Sequence, residues 1–175
     1  MFTSIAIIGR PNVGKSTLFN KLTKTREAIV SDFPGLTKDR NYGYIKLGSI
    51  KSFIIDTGGI GKDESNLSQN ISEQAWMAAN ECNLILFLVD GSENLTSEDF
   101  DILSSLRKLN KPFITLLNKS DKTSKSEALN DISSKGIKDY LDISAEHSRG
   151  LDDLKKLLIK MLPDKTDEIV PDGKK

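Results

Sequence analysis

The chain has 175 residues, 37% of them hydrophobic, with 25 Lys+Arg balanced by 25 Asp+Glu. That suits one compact domain and provides no global positive field to draw it onto nucleic acid or anionic lipid. The longest apolar run, Leu84 to Val89, is far short of the roughly 20 residues of a membrane-crossing helix. Met1-Phe2-Thr3-Ser4 lacks the basic start of a secretory signal, so a cytoplasmic protein is expected. A lone Cys82 and a lone His147 exclude an internal disulfide and the usual Cys/His zinc site.

In chain order, short β-rich runs alternate with stretches of helical period. Ile5-Ile8 precedes Leu18-Phe19-Leu22, Ser52-Ile55 precedes Ile71-Ala75-Ala79, Leu84-Val89 precedes Phe100-Leu103-Leu106, and Phe113-Leu117 precedes Ala128-Leu129-Ile132. The alternation predicts an α/β fold, a mostly parallel sheet covered by helices on both faces. Ile5-Ile8 and Leu84-Val89 are apolar at every position, as in strands buried on both sides, and should be central. Asn41-Leu47 and Lys51-Asp56 flank a short connection, Gly48-Ser49-Ile50, which predicts an antiparallel edge hairpin and hence a mixed sheet. With a short strand around Tyr140 to Ile143, six strands are expected. The last helix carries its apolar residues at Leu151, Leu154, Leu157, Leu158, Met161 and Leu162, and Pro163 should end it. Beyond it, residues 163–175 hold too little apolar surface to pack and read as a disordered linker, leaving 1–162 as the folded domain.

Directly after the first strand, Gly9-Arg10-Pro11-Asn12-Val13-Gly14-Lys15-Ser16 fits G-x-x-x-x-G-K-[ST] and opens a helix together with Thr17. Backbone N–H groups of such a loop and the helix N-terminus cradle phosphate oxygens, Lys15 adds a full charge, and Ser16 offers a hydroxyl to Mg²⁺. Lys15 is expected to be exposed and to make little core contact. Asp56-Thr57-Gly58-Gly59 leaves a hydrophobic strand at the edge where α/β proteins bind ligands, so Asp56 can hold Mg²⁺ and Gly59 can bring its N–H to a γ-phosphate. Ile60 to Asn70 is polar enough to respond when that phosphate leaves. Thr37, in a loop-like segment from Arg26 to Arg40, is either a solvated threonine or a Mg²⁺ and γ-phosphate ligand.

Asn118-Lys119-Ser120-Asp121 follows the strand Phe113-Leu117. Alone it could be an ordinary Asn/Asp-rich turn. In order after the two phosphate motifs it predicts a guanine site. The Asp121 carboxylate would accept from N1–H and the 2-amino group, the Lys119 stem would pack along the base, and Asn118 would tie this loop to the phosphate loop. Ser144-Ala145 would bring a backbone N–H towards the guanine carbonyl oxygen, and His147 is assigned a surface or local hydrogen-bonding role. GTP is therefore the expected substrate and GDP the product.

Gly9 to Asn20, Ala28-Ile29-Val30, Pro34-Gly35, Thr37, Asp39-Arg40, Tyr42-Gly43 and Asp56 to Ile60 together resemble the first GTPase domain of the Der (EngA) family. These proteins belong to the TrmE-Era-EngA-like G-domains, whose Era and MnmE members usually differ around Gly58. The resemblance spans Ile5 to about Leu162. It implies a P-loop NTPase G domain of a bacterial GTPase that helps assemble the large ribosomal subunit. It also implies a second G domain and a KH-like domain, which this chain does not contain and against which the full-length protein would pack it. Direct nucleic-acid binding is not expected of this piece.

Ile60 stands where many small GTPases place a water-orienting glutamine. Asn12 matches the asparagine that helps hold K⁺ in related GTPases, which implies slow, K⁺-stimulated hydrolysis with Asn12, Lys15, Thr37 and Gly59 as the catalytic set. A nucleotide-gated binding module with negligible turnover is the competing reading. A small-substrate phosphotransferase would need a lid of arginines, and Arg10, Arg26, Arg40, Arg107 and Arg149 form no cluster in the sequence.

Overall fold

The structure is a computed structural model that describes residues 3–23, 41–59, 73–121 and 125–162. Six strands and five helices are described: β1 (Thr3–Ile8), α1 (Lys15–Leu22), β2 (Asn41–Leu47), β3 (Ile50–Asp56), α2 (Glu73–Glu81), β4 (Leu84–Asp90), α3 (Ser97–Lys108), β5 (Phe113–Asn118), α4 (Lys125–Ser134), β6 (Tyr140–Asp142) and α5 (Leu151–Met161). A single 3-10 turn, Thr57–Gly59, follows β3. Strand order is β2-β3-β1-β4-β5-β6. All neighbours are parallel except β2 and β3.

The expected α/β fold with a mixed six-stranded sheet is therefore the fold observed, and the two all-apolar runs form the central strands β1 and β4. Alternate residues of these strands feed two separate cores, because successive strand side chains point to opposite faces. Ile5, Ile7, Leu84, Leu86 and Leu88 pack with Leu18 and Leu22 of α1 and Leu154 and Leu158 of α5. On the other face Ala6, Ile8, Ile85, Phe87 and Val89 pack with Ala79 of α2, Leu103 and Leu106 of α3, and Ala128 and Ile132 of α4. Because β1, β3, β4, β5 and β6 are parallel, their C-terminal ends lie on one edge, where the loops between strand and helix collect.

Two boundaries differ from expectation. Ile50 is the first residue of β3 rather than part of the hairpin connection, and it pairs with Leu47. Both side chains are buried in the α1/α5 core, so the gain from burying Ile50 shortens the turn to Gly48-Ser49. At the chain's last helix Met161 is exposed while Leu162 is buried. Leu162 is extended (φ −80°, ψ 139°), as a residue before proline prefers, and Pro163 follows it in the sequence. Pro163 itself, Ile71 and the linker expected over 163–175 lie outside the described residues. Cys82 is buried, donates to the carbonyl oxygens of Ala79 (3.1 Å) and Leu84 (3.2 Å), and has its thiol pushed up to about 11 by burial, so at neutral pH it is an inert core residue.

Gly48 has φ +61°, and the next residue has a negative φ, the pattern of a II′ hairpin turn. Gly48→Ala meets no neighbour but must adopt a left-handed backbone. It should lower stability by about 1 kcal/mol, read as an earlier urea midpoint with an unchanged slope. An unmoved midpoint would show that the turn relaxes without cost.

Candidate functional site

β1 ends at Ile8, and Gly9 to Gly14 wrap over the sheet edge to begin α1. Gly14 has φ +105°, and a Cβ there would lie 2.3 Å from the Asn118 side-chain nitrogen, so conformation and space both require glycine. Asn12 is also left-handed, at φ +66°. The loop is fixed at three successive points. Arg10 pairs with Glu93 and, through Nε at 3.1 Å, with Asp99 Oδ2. Asn12 offers its carbonyl oxygen to Lys119 Nζ at 3.2 Å. Val13, whose side chain is buried in the core, offers its own to Asn118 Nδ2 at 2.8 Å.

Asp99 also closes the capping box of α3, accepting from Thr96 N at 2.9 Å while its own N–H donates to the Thr96 hydroxyl. Burial works against the Arg10 charge, but Glu93 and Asp99 outweigh it and hold the guanidinium above its ordinary value. The Arg10 side chain is thus committed to α3.

Lys15 is buried, at 8% exposure, contrary to the expectation of an exposed side chain. Its ammonium folds back over the loop and donates to the carbonyl oxygens of Gly9 and Arg10, both at 2.7 Å. Gly58 permits this, since a Cβ there would lie 3.0 Å from Lys15 Cε and 3.2 Å from Asp56 Oδ1. Ser16 Oγ donates to Asp56 Oδ2 at 2.9 Å, and Asp56 Oδ1 accepts from Gly58 N at 3.0 Å. A hydroxyl and a buried carboxylate therefore meet beside the lysine, a hard oxygen pair suited to Mg²⁺ that leaves the remaining positions to water and phosphate. Thr57 turns the other way, its hydroxyl donating to Ile7 O at 2.5 Å. Pro11 and Thr17 are exposed beside the cradle, and Gly59 closes the 3-10 turn. Thr37 and Ile60 lie outside the described residues.

Asn118, 3% exposed, joins three segments: Nδ2 donates to Val13 O, and Oδ1 accepts from Ala145 N at 2.9 Å. Ser120 N donates to Ile143 O at 3.0 Å, pinning the base loop to the end of β6. Ser144 N donates to Arg149 O at 3.0 Å and Ala145 N to Asn118 Oδ1 at 2.9 Å. The turn into α5 uses the first and the Asn118 amide uses the second. His147 sits beside Asp121, Nε2 to Oδ2 at 3.5 Å, in the local role expected of it.

Asp90 is the residue that sequence reasoning passed over. Its signal was there: a carboxylate closing Leu-Ile-Leu-Phe-Leu-Val-Asp, an otherwise apolar central strand. Oδ1 accepts from Ser92 N (2.9 Å) and Ser92 Oγ (2.5 Å), and Oδ2 pairs with Lys119. Burial alone would raise the Asp90 carboxyl, but Lys119 and the two Ser92 donors outweigh it and hold it below the ordinary value.

Two outcomes follow. Asn118→Ala leaves a buried carbonyl and a buried N–H unpaired and should cost at least about 1–3 kcal/mol in urea unfolding; a smaller loss would mean that the loops re-pair. Because the Asp90 value is depressed by folding, its contribution is complete above the ordinary carboxylate range and is lost as pH falls through the lower folded value. Between about pH 5 and pH 2 the unfolding free energy of Asp90→Asn should therefore fall less steeply than that of the parent protein, and parallel profiles would contradict this.

The family described as 50S ribosome-binding GTPase matches residues 4–119. The chain is 46% identical over 172 residues to GTPase Der of Legionella pneumophila strain Corby, covering 98% of this chain and 37% of that protein. With GTPase Der of Alcanivorax borkumensis it shares 43% identity over 169 residues, covering 97% and 36%. It thus spans little more than a third of the length of these relatives. Among solved structures, Era of Aquifex aeolicus bound to GDP and AlF4⁻ aligns with TM-score 0.74 and 32% identity, over 94% of this chain and 58% of that one. Era in complex with MgGDPNP and a segment of 16S ribosomal RNA gives 0.75 and 32%, over 98% and 60%. The FeoB G domain of Thermotoga maritima, at 23% identity and TM-score 0.67, over 92% and 99%, shares the fold. With the family match covering the phosphate loop, the Asp56–Gly59 turn and the start of the base loop, and the Era fold aligned over nearly the whole chain, the chain belongs to the 50S ribosome-binding GTPase family and matches GTPase Der proteins over the span of a single G domain.

Proposed function

We propose that this chain is the GTP-binding and GTP-hydrolysing switch domain, the first G domain, of a ribosome large-subunit assembly GTPase acting in the cytoplasm. The observation that carries the reading is the Asn118 knot, which makes the phosphate loop and the base loop one site. GTP would lie with its phosphates over Gly9 to Thr17, its base at Asn118-Lys119-Ser120-Asp121, and its γ-phosphate towards Asp56 to Ile60. Ser16 and Asp56, with Thr37, would hold Mg²⁺, which when bound neutralises charge on the phosphates. Ser16 and Asp56 already meet at 2.9 Å. Lys15 exchanges its loop carbonyl partners for phosphate oxygens. Among the described residues no helix is long and apolar enough to cross a membrane. Ribosome association would belong to the full-length protein, through a second G domain and a KH-like domain against which this one packs, with residues 163–175 as the linker. The family's description supports the large-subunit setting, and the 16S ribosomal RNA bound by Era supports association with the ribosome in general.

Asn12, exposed at the loop's apex, is the proposed K⁺-holding residue. A monovalent cation there offsets charge developing on the β- and γ-phosphates, and since full arginine fingers contribute about 10³–10⁵ in rate, a looser ion gives less. With Mg²⁺ present, phosphate release from GTP should be slow in NaCl and faster in matched KCl, and Asn12→Asp should lose the difference. Equal rates in both salts would remove K⁺ from the mechanism. GDP binding without release in either salt would favour the second reading, a nucleotide-gated module, which the commitment of Arg10 to α3 rather than to the phosphates supports.

A further inference from the structure

Lys119 carries a charge that base recognition does not need, and the structure gives that charge a destination. Its ammonium pairs with Asp90 and donates to Asn12 O at 3.2 Å, so it arches from the base loop over the apex of the phosphate loop to the end of β4. Asp90 and Asn118 are register partners on β4 and β5, and Gly91 N donates to Asn118 O at 2.8 Å, which locks the two strand ends together. Asp90 cannot swing, because Ser92 holds its other oxygen twice. Lys119 is left-handed, with φ +62°, which aims its side chain back across the site.

We propose that Asp90 is a positioning residue for guanine-nucleotide binding: by gripping the Lys119 ammonium against the phosphate loop, it holds the lysine stem as a fixed wall for the base. The inference rests on the guanine-nucleotide reading above and deepens it. An unheld lysine is among the side chains with most rotamer freedom to lose. Gripped in advance, it loses little on binding, so the pair acts by preorganisation and its removal shows chiefly as faster release. Asp121 would remain the reader of base identity, since Asp90 acts only through Lys119.

The test is a double-mutant cycle on the whole chain, read as the dissociation rate of a fluorescent methylanthraniloyl-GDP. Asp90→Asn keeps the size of the side chain and the acceptor for Ser92 but drops the charge. Lys119→Met keeps an apolar stem and loses the ammonium. Each should release the nucleotide about tenfold faster, and the double variant no faster than Lys119→Met alone. An Asp90→Asn rate equal to the parent's, or effects that multiply in the double variant, would each overturn the proposal and leave Asp90 a turn former. Should Asp90→Asn lose its helical circular dichroism, Asp90→Glu replaces it, displacing the ammonium by one methylene, and the same non-additivity is required. Absence of nucleotide binding by the parent protein would overturn the guanine reading itself, whereas tight parent binding with an unaffected Asp90→Asn overturns only the role of Asp90.

Discussion

A single buried side-chain amide sets the geometry of the whole edge. Asn118 gives one hydrogen to the Val13 carbonyl and takes one from the Ala145 N–H, so three loops from distant parts of the chain share one fixed point. Neither backbone group could be left unpaired at such depth without cost, so the loops must follow the amide. The constraint reaches into the sequence as well, since the amide nitrogen occupies the space in which any side chain at Gly14 would begin. Glycine at that position is thus required by the base loop as well as by its own left-handed backbone.

Around that point the sheet distributes charge in a particular way. β3, apolar from Phe53 to Ile55, and β4, apolar from Leu84 to Val89, each end in a buried carboxylate, Asp56 and Asp90. Burying a carboxylate is costly unless its oxygens find donors or a counter-charge. Asp56 meets this with Ser16 and Gly58, and Asp90 with Ser92 and Lys119. The two acids have divided the site between them: one lies by the phosphate side, next to Lys15, and the other by the base side, next to Lys119.

Most of the fold was legible because it depends on local patterns. Two all-apolar runs named the central strands, a spaced stripe named α5, and the phosphate loop announced itself by glycine spacing between a strand and a helix. What stayed hidden joins residues far apart in the chain. Arg10 and Asp99 are 89 positions apart and Asp90 and Lys119 are 29 apart, and no periodicity in either segment carries that information. For the same reason, motif order located the Ser144-Ala145 turn, but only its hydrogen bonds show which partners its donors take. Lys15 looked exposed because lysine usually is, whereas here two loop carbonyls draw it inward.

The ties on the phosphate loop bear on how a switch could work. Arg10 is anchored to α3, the Asn12 carbonyl to Lys119, and the Val13 carbonyl to Asn118, so the loop is held at three points by groups from two other parts of the fold, α3 and the base loop. A loop restrained in this way is a rigid receptor: it can hold a diphosphate or a triphosphate in one place, and it has little freedom to change shape between them. Under the proposed reading, reporting of the γ-phosphate would fall to 26–40 and 60–70, the two polar stretches of the sequence that carry Thr37 and follow Gly59. Rigidity at the phosphate loop is what would allow the loss of one phosphate to be felt there as the loss of a contact, rather than absorbed by movement of the cradle.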